Sequence, residues 1–294
     1  MKNLSPRNSA LLALTAAGVL WGLTVPLSKV GLETLGPGWL TVARFAVAAP
    51  LLALVARRQL AHAFTPGIVV AGALGFGAVI LVQNAGIERT SVSHAALIVG
   101  AVPALVALFT TLAGRGSAGR SAWFGFALAL AGVALVAGTG GGGVSGTGDL
   151  LVLASVAGSA AYIAVQPRLL KGRDPMAVTA VQLAAGAVFA LPVAAVMEGV
   201  PALPAATGSW AAVLVLATAG TLVPFALFAF GQSRVVPELA GAFVNLEPLV
   251  GALSGAVVFG DVFGGAQVLG AAVLLAGIAL SAWPRSTVGL PVSH

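Results

Sequence analysis

Two ionisable side chains stand where an apolar sequence has least reason to keep them. Arg44 interrupts the run Trp39-Leu-Thr-Val-Ala-Arg-Phe-Ala-Val-Ala-Ala, and Glu247 interrupts Phe243-Val-Asn-Leu-Glu-Pro-Leu-Val. A charge deep in an apolar helix is costly and normally faces a cavity or a partner. A guanidinium offers a planar fork that fits a carboxylate; a carboxylate fits an ammonium or carries a proton. The competing reading is a structural ion pair, Arg44 with Glu247, that locks two helices together.

Other polar residues share these surroundings. Gln83, Asn84, Tyr162, Gln166, Gln182 and Asn245 all lie within apolar runs. The ordinary role of such residues is a hydrogen bond between helices. Asn245, two residues before Glu247, and Gln182 are the stronger candidates for a binding site. Gln83, Asn84 and His94 fall toward one end of their segments and are expected near an outer vestibule, His94 as a solvated or capping residue beside a helix start. Tyr162 and Gln166, one helical turn apart, are expected at the inner end. Trp21 is a candidate cavity wall. Pro103 and Pro248 each remove a backbone donor, leaving the carbonyl four residues earlier without its helical partner; they are expected to kink their helices, and carbonyls freed in this way line binding sites in carriers built from broken helices.

The elements that position these residues follow from composition. Of 294 residues, 59% are hydrophobic and only 7% are charged, and mean hydropathy is +1.05. A soluble domain carries about 25% charged residues, so the expected solvent is lipid. The net charge of +6 does not indicate nucleic acid, because the basic residues sit singly between apolar runs and form no face. There is no Cys, which excludes disulfides and thiol nucleophiles. His62, His94 and His294 have no metal-ligand spacing. No cofactor or metal is expected.

A membrane-crossing helix needs about 20 mainly apolar residues. Gly, Pro and charged residues divide the chain into ten such pieces: 9–29, 37–56, 66–87, 91–113, 121–139, 149–169, 175–197, 209–232, 238–259 and 265–283. The start, Lys2 and Arg7 before an apolar run, has the form of a signal peptide, but the run is long and more spans follow, so an uncleaved first helix is expected. With the N-terminus in the cytoplasm, the inner segments hold Lys2, Arg7, Arg57, Arg58, Arg115, Arg120, Arg168, Lys171, Arg173, Arg234 and Arg285. Lys29 and Arg89 fall outside, and Arg44 lies in a span. That separation obeys the positive-inside rule and places both termini in the cytoplasm. Glu33, Glu88, Asp149, Glu198 and Asp261 fall on the outer side.

The chain also repeats itself. At a spacing of 145, Arg89 corresponds to Arg234, Ala95 to Ala240, Val99 to Val244, Pro103 to Pro248, Gly125 to Gly270 and Gly132 to Gly277. Earlier in each half the spacing is 138: Pro37 corresponds to Pro175, Thr41 to Thr179, and Arg44 to Gln182. Five spans per unit turn the second unit over in the membrane. The expected fold is all-α, with ten transmembrane helices as two inverted five-helix repeats (1–140 and 149–284) and a cytoplasmic tail, 285–294. In such folds two halves rock around a site near the bilayer midplane. By helix rise, Arg44 lies about 10 Å and Glu247 about 13 Å into their spans, both near that depth. Gly18 with Gly22, and Gly251 with Gly255, have the spacing that lets helices approach closely.

These residues together resemble the drug/metabolite transporter superfamily, in its EamA-type ten-helix branch. The features are Trp21-Gly22, Arg44-Phe45, the segment from Glu88 through Leu97 followed by Pro103, Glu247-Pro248, and the pair Gly270 and Gly277. The sequence departs from the family's common Gly-Glu at the repeat ends, with Gly260-Asp261 and Gly114-Arg115. The resemblance implies a secondary transporter in the inner membrane for a small metabolite, often export of amino acids or related compounds, without ATP. Its partners are then the substrate and the lipid bilayer, with no nucleic acid, no nucleotide and no required oligomer.

Other classes find less support. Gly138, Gly140 and Gly143 spell a dinucleotide motif without the βαβ unit it requires, and Gly143-Val-Ser145-Gly146 lies in a glycine loop. A membrane enzyme, hydrolase or lipid-modifying, needs a nucleophile with a base, and none is evident. A passive channel needs a filter or ring of charge, which is also not evident.

Overall fold

A computed structural model describes residues 6–112, 120–137, 146–201, 207–232, 234 and 243–281, and the regular structure among them is entirely helical. The solvent explains this, since in hydrocarbon each backbone N–H and C=O must be satisfied within its own segment. Pro37, Pro66 and Pro175 open their helices, at the position where a missing N–H costs nothing. The glycine loop at 138–145, Gly114, Arg115, Ala240 and the tail 285–294 lie outside the described residues.

The apolar helices are α1 (Arg7–Leu32), α2 (Pro37–Val55), α3 (Pro66–Arg89), α4 (Val92–Leu112), α5 (Trp123–Val136), α6 (Gly146–Leu170), α7 (Pro175–Glu198), α8 (Trp210–Phe228), α9 (Leu246–Val258) and α10 (Gly265–Gly277). Seven are long and apolar enough to cross a membrane. α5, α9 and α10 are apolar but shorter.

Irregularities recur at fixed spacing. α3 contains a π-helical turn, Ala73–Ala78, and α8 contains another, Thr218–Leu222, which starts 145 residues later. α4 is interrupted at Gly100–Ala101, three residues before Pro103, and the helix leading into α9 is interrupted at Asn245, three before Pro248. Gly100 and Asn245 are again 145 apart. The interruptions meet: a methyl group on Gly100 would lie 2.6 Å from Pro248 Cβ.

The most extensive packing joins α5 to α10 and α2 to α7. Glycines make the first of these possible, and they do so reciprocally. A methyl on Gly132 would lie 2.7 Å from the Gly270 carbonyl oxygen, and one on Gly277 would lie 2.7 Å from the Gly125 carbonyl oxygen. That i-to-j, j-to-i exchange is the mark of a two-fold contact. Gly18 and Gly22 bring α1 against Leu246 and Val250 of α9, while Gly251 and Gly255 bring α9 against Ala96 and Ser93 of α4. The main apolar core gathers α4, α5 and α6 with Ala252 and Leu274.

One end of the bundle carries Glu33, Glu88, Asp149, Glu198 and Asp261, and is called the acidic end below. The other carries Arg57, Arg58 and Arg173. There Arg173 Nε donates to the His62 carbonyl at 3.2 Å, and Asp174 caps its own helix by accepting from Ala177 N at 2.8 Å.

Candidate functional site

Arg44 projects from α2 onto the π-helical turn of α8. Its Nε donates to Thr221 Oγ1 at 3.0 Å and Nη2 to the Gly220 carbonyl at 3.3 Å. Thr221, itself buried, donates to the Leu216 carbonyl five residues back. π-helical turns concentrate at functional sites, and this one turns a carbonyl and a hydroxyl toward a cation. The other guanidinium N–H groups of Arg44 have no acceptor among the described residues, and the side chain is half-buried. Spare donors on a partly accessible guanidinium are what an anionic ligand requires.

Glu247 opens α9 and is also half-buried, with no hydrogen-bond or ion-pair partner among the described residues. Glu247 and Arg44, on α9 and α2, make no contact within 4 Å; the ion pairs among the described residues are Arg89–Glu88 and His94–Asp149. The locked pair weighed from the sequence is therefore not formed. Asn245, just before α9, makes no side-chain cap bond.

An aromatic wall adjoins this pair. The Trp21 ring lies 5.5 Å from Phe225, edge-on, and 5.2 Å from Phe228. Trp21 is one turn before Thr24, whose hydroxyl donates to the Trp21 carbonyl; Phe225 is one turn after Thr221. The methyl of Thr24 in turn faces Gly220. The wall thus stands on α1 and α8, and Arg44 of α2 reaches the same α8 through Thr221 and Gly220.

A second polar station sits at the counterpart positions. Tyr162 Oη donates to Gln182 Oε1 at 2.7 Å, Gln166 Nε2 lies 2.6 Å from Tyr162 Oη, and Gln182 Nε2 donates to Gln166 Oε1 at 2.9 Å. Gln182 occupies in α7 the place Arg44 has in α2, and its backbone lies against Gly72 beside the π-helical turn of α3. Tyr162 covers Gly75 as Thr24 covers Gly220. Edge-to-face contacts run from Phe45 through Phe76 to Tyr162 at 5.6 and 5.3 Å, and the Arg44 guanidinium lies 5.5 Å from the Phe45 ring. An aromatic path thus links the two stations.

The remaining candidates divide. Asn84 is buried and donates to Thr41 Oγ1 at 3.0 Å, joining α3 to α2. Gln83 is half-buried with no hydrogen bond among the described residues. His94, expected to be solvated or capping, is instead buried, and its Nδ1 lies 3.1 Å from Asp149 Oδ2. Thr90 Oγ1 donates to the other carboxylate oxygen. An ionised carboxylate only accepts, so Nδ1 carries the proton in this contact. The helix start is capped by Ser91, whose hydroxyl oxygen accepts from His94 N.

Thr24, Gly220, Thr221, Phe225 and Phe228 are site residues that sequence reasoning passed over. The available signal was Gly220, which stands 145 residues after Gly75. No group of three or more His, Asp and Glu able to hold a metal occurs among the described residues.

Comparison with known proteins adds an independent line. The model of the EamA-like transporter family matches the chain twice, over residues 8–138 and 146–283. A probable terminal-alkyne amino-acid exporter of Streptantibioticus cattleyicolor is 28% identical over 93% of this chain and 93% of its own length. The inner membrane transporter YedA of Escherichia coli K12, itself uncharacterized, is 27% identical over 91% of this chain and 89% of its own. A crystal structure at 22% identity superposes with a TM-score of 0.67, over 94% of this chain and 96% of that one; it shares the fold.

Proposed function

The chain belongs to the EamA-like transporter family, and on that premise we propose that it is a secondary carrier that exports an amino acid or a closely related zwitterion by alternating access. The observation that carries this reading is the relation of Arg44 to Glu247. The two are half-buried on different helices and make no ion pair with each other, which in this reading leaves a gap between opposite charges. A zwitterion fills such a gap, its carboxylate on the spare N–H groups of Arg44 and its ammonium on Glu247. A similarity to an amino-acid exporter along nearly the whole chain agrees with this assignment.

The moving parts in this reading are two inverted five-helix bundles with ten crossings. The recurrence of both π-helical turns and both helix interruptions at one spacing supports it, as do the reciprocal glycine contacts of α5 and α10. The basic end faces the cytoplasm with both termini, in keeping with the distribution of Lys and Arg. The interruptions at Gly100 and Asn245 serve as the bending points on which the halves rock.

The test is flux in proteoliposomes across a panel of amino acids and related zwitterions, with and without a pH gradient. The proposal predicts saturable flux of at least one zwitterion, with its half-saturating concentration raised in Arg44→Gln. Flux linear in concentration would identify a pore, and chemical conversion of the solute without flux would identify an enzyme.

A further inference from the structure

Each half of the molecule contributes something different to the acidic end. The C-terminal half brings three carboxylates, and the N-terminal half brings two helix starts. At the start of α2, Gly38 N donates to Glu198 Oε1 at 2.6 Å and Trp39 N to Oε2 at 3.1 Å, while Trp39 Nε1 donates to the Gly199 carbonyl at 2.9 Å. At the start of α4, Ser93 N donates to Asp261 Oδ2 at 2.7 Å and Ser93 Oγ to the Ala252 carbonyl at 3.1 Å. Between them, Thr90 Oγ1 and His94 Nδ1 hold the buried carboxylate of Asp149. In all seven bonds the donor lies in the N-terminal half and the acceptor in the C-terminal half.

The chemistry of the contacts explains their polarity. The first turn of a helix presents N–H groups with no partner in the helix, and its dipole attracts negative charge. Among the described residues, the hydrogen bonds and ion pairs of Lys29 and Arg89 stay within the N-terminal half. Lys29 Nζ donates to the carbonyls of Ile87, Glu88 and Thr90, closing the end of α3 within its own half, and Arg89 pairs with its neighbour Glu88. The basic end is held differently: Arg173 of the C-terminal half donates to the His62 carbonyl of the N-terminal half, and Asp174 caps the start of α7 from within its own half. At the two repeat spacings the counterparts of Asp149, Glu198 and Asp261 are Leu11, Leu60 and Gly116, so none of the three has an acidic counterpart in the N-terminal half.

Resting on the carrier reading, we propose that Asp149, Glu198 and Asp261 are the gate of the acidic end: three clasps that hold it shut and must part for this end to open during each transport cycle. The gate is one-sided. The three carboxylates have no acidic counterparts at the repeat positions of the other end, so the clasps bias the molecule toward the state closed at the acidic end. The solute leaves when the clasps release. These are positioning residues, remote from Arg44 and Glu247, and they set which face the site can reach.

The chain has no Cys, which makes paired cysteines clean reporters. In Ser93→Cys with Asp261→Cys, oxidation is expected to cross-link α4 to the α9–α10 connection and stop flux, and reductant is expected to restore it. A cross-linked protein that transports at the reduced rate would overturn the gate while leaving the carrier reading intact, as would failure of the pair to cross-link in folded protein. A second measurement needs no substrate. Ser28, buried in α1, is replaced by Cys and labelled from the acidic side with a membrane-impermeant maleimide. Adding Asp261→Ala is expected to speed labelling about tenfold, the equivalent of one lost charge-assisted bond; an unchanged rate would overturn the gate. If the native chain moved none of the zwitterions tested, the carrier reading would fail, and the labelling result would still report whether the clasps open.

Discussion

The guanidinium of Arg44 and the carboxylate of Glu247 lie on different helices and make no contact within 4 Å; Arg44 is held instead by Thr221 and Gly220 of α8. A pair built only to lock helices would close. This one is held open by a third helix, which keeps both charges available at the cost of burying them incompletely satisfied.

The first consequence concerns affinity. Replacing either group by a neutral amide, Arg44→Gln or Glu247→Gln, removes one charge-assisted interaction with the solute, worth about 1.5–3 kcal/mol. Each is expected to raise the half-saturating concentration by roughly 10- to 100-fold with folding intact, as read by proteoliposome flux and size-exclusion profile. A Glu247→Gln variant that kept its affinity but lost its response to an imposed pH gradient would assign Glu247 to proton coupling instead of ammonium binding.

The aromatic wall predicts selectivity. Trp21→Ala removes ring contacts worth about 0.5–1.5 kcal/mol each. It is expected to weaken transport of solutes with large apolar side chains by roughly two- to tenfold while changing glycine-sized solutes little. Competition against a single labelled substrate measures this; equal weakening for all sizes would take Trp21 out of the wall.

The buried carboxylate of Asp149 predicts a stability effect. Thr90→Val keeps the shape and removes the donor, leaving a buried oxygen short of one bond at a cost of about 1–3 kcal/mol. Thermal unfolding in detergent is expected to shift downward, and Thr90→Ser to recover most of the loss.

The crossing of α5 on α10 predicts a matched pair. Gly132→Ala and Gly277→Ala each force a methyl against the opposing backbone, and overpacking of this kind costs about 1–3 kcal/mol. Because the contacts are reciprocal, the two losses are expected to be similar in the same unfolding assay. A large loss at one position and none at the other would contradict the two-fold relation.

The sequence made the scaffold readable for reasons of solvent and period. Apolar length set the helices, and Pro and Gly at constant spacing set the relation of the halves, so Gly125, Gly132, Gly270 and Gly277 were visible before their contacts were. Arg44 and Glu247 stood out because hydrocarbon makes charge conspicuous. What escaped notice was contact between distant segments. Thr221 lies 177 residues from Arg44, and an apolar stretch gives no sign that its helix widens into a π turn there. His94 read as a surface residue because it follows a helix start; its burial depends on Asp149, 55 residues away, and no local pattern announces that meeting. The seven bonds of the acidic end share this property. Each joins residues 55 or more apart, and the sequence showed only that acids gather on that side.

Counterflow tests the carrier most directly. Proteoliposomes loaded with an unlabelled zwitterion at high concentration are diluted into a trace of the same compound, labelled. An alternating-access carrier returns from its outward trip with labelled solute, so the account predicts a transient accumulation above equilibrium that Arg44→Gln strongly reduces. Simple equilibration without overshoot, for every zwitterion whose flux the protein catalyses, would contradict it.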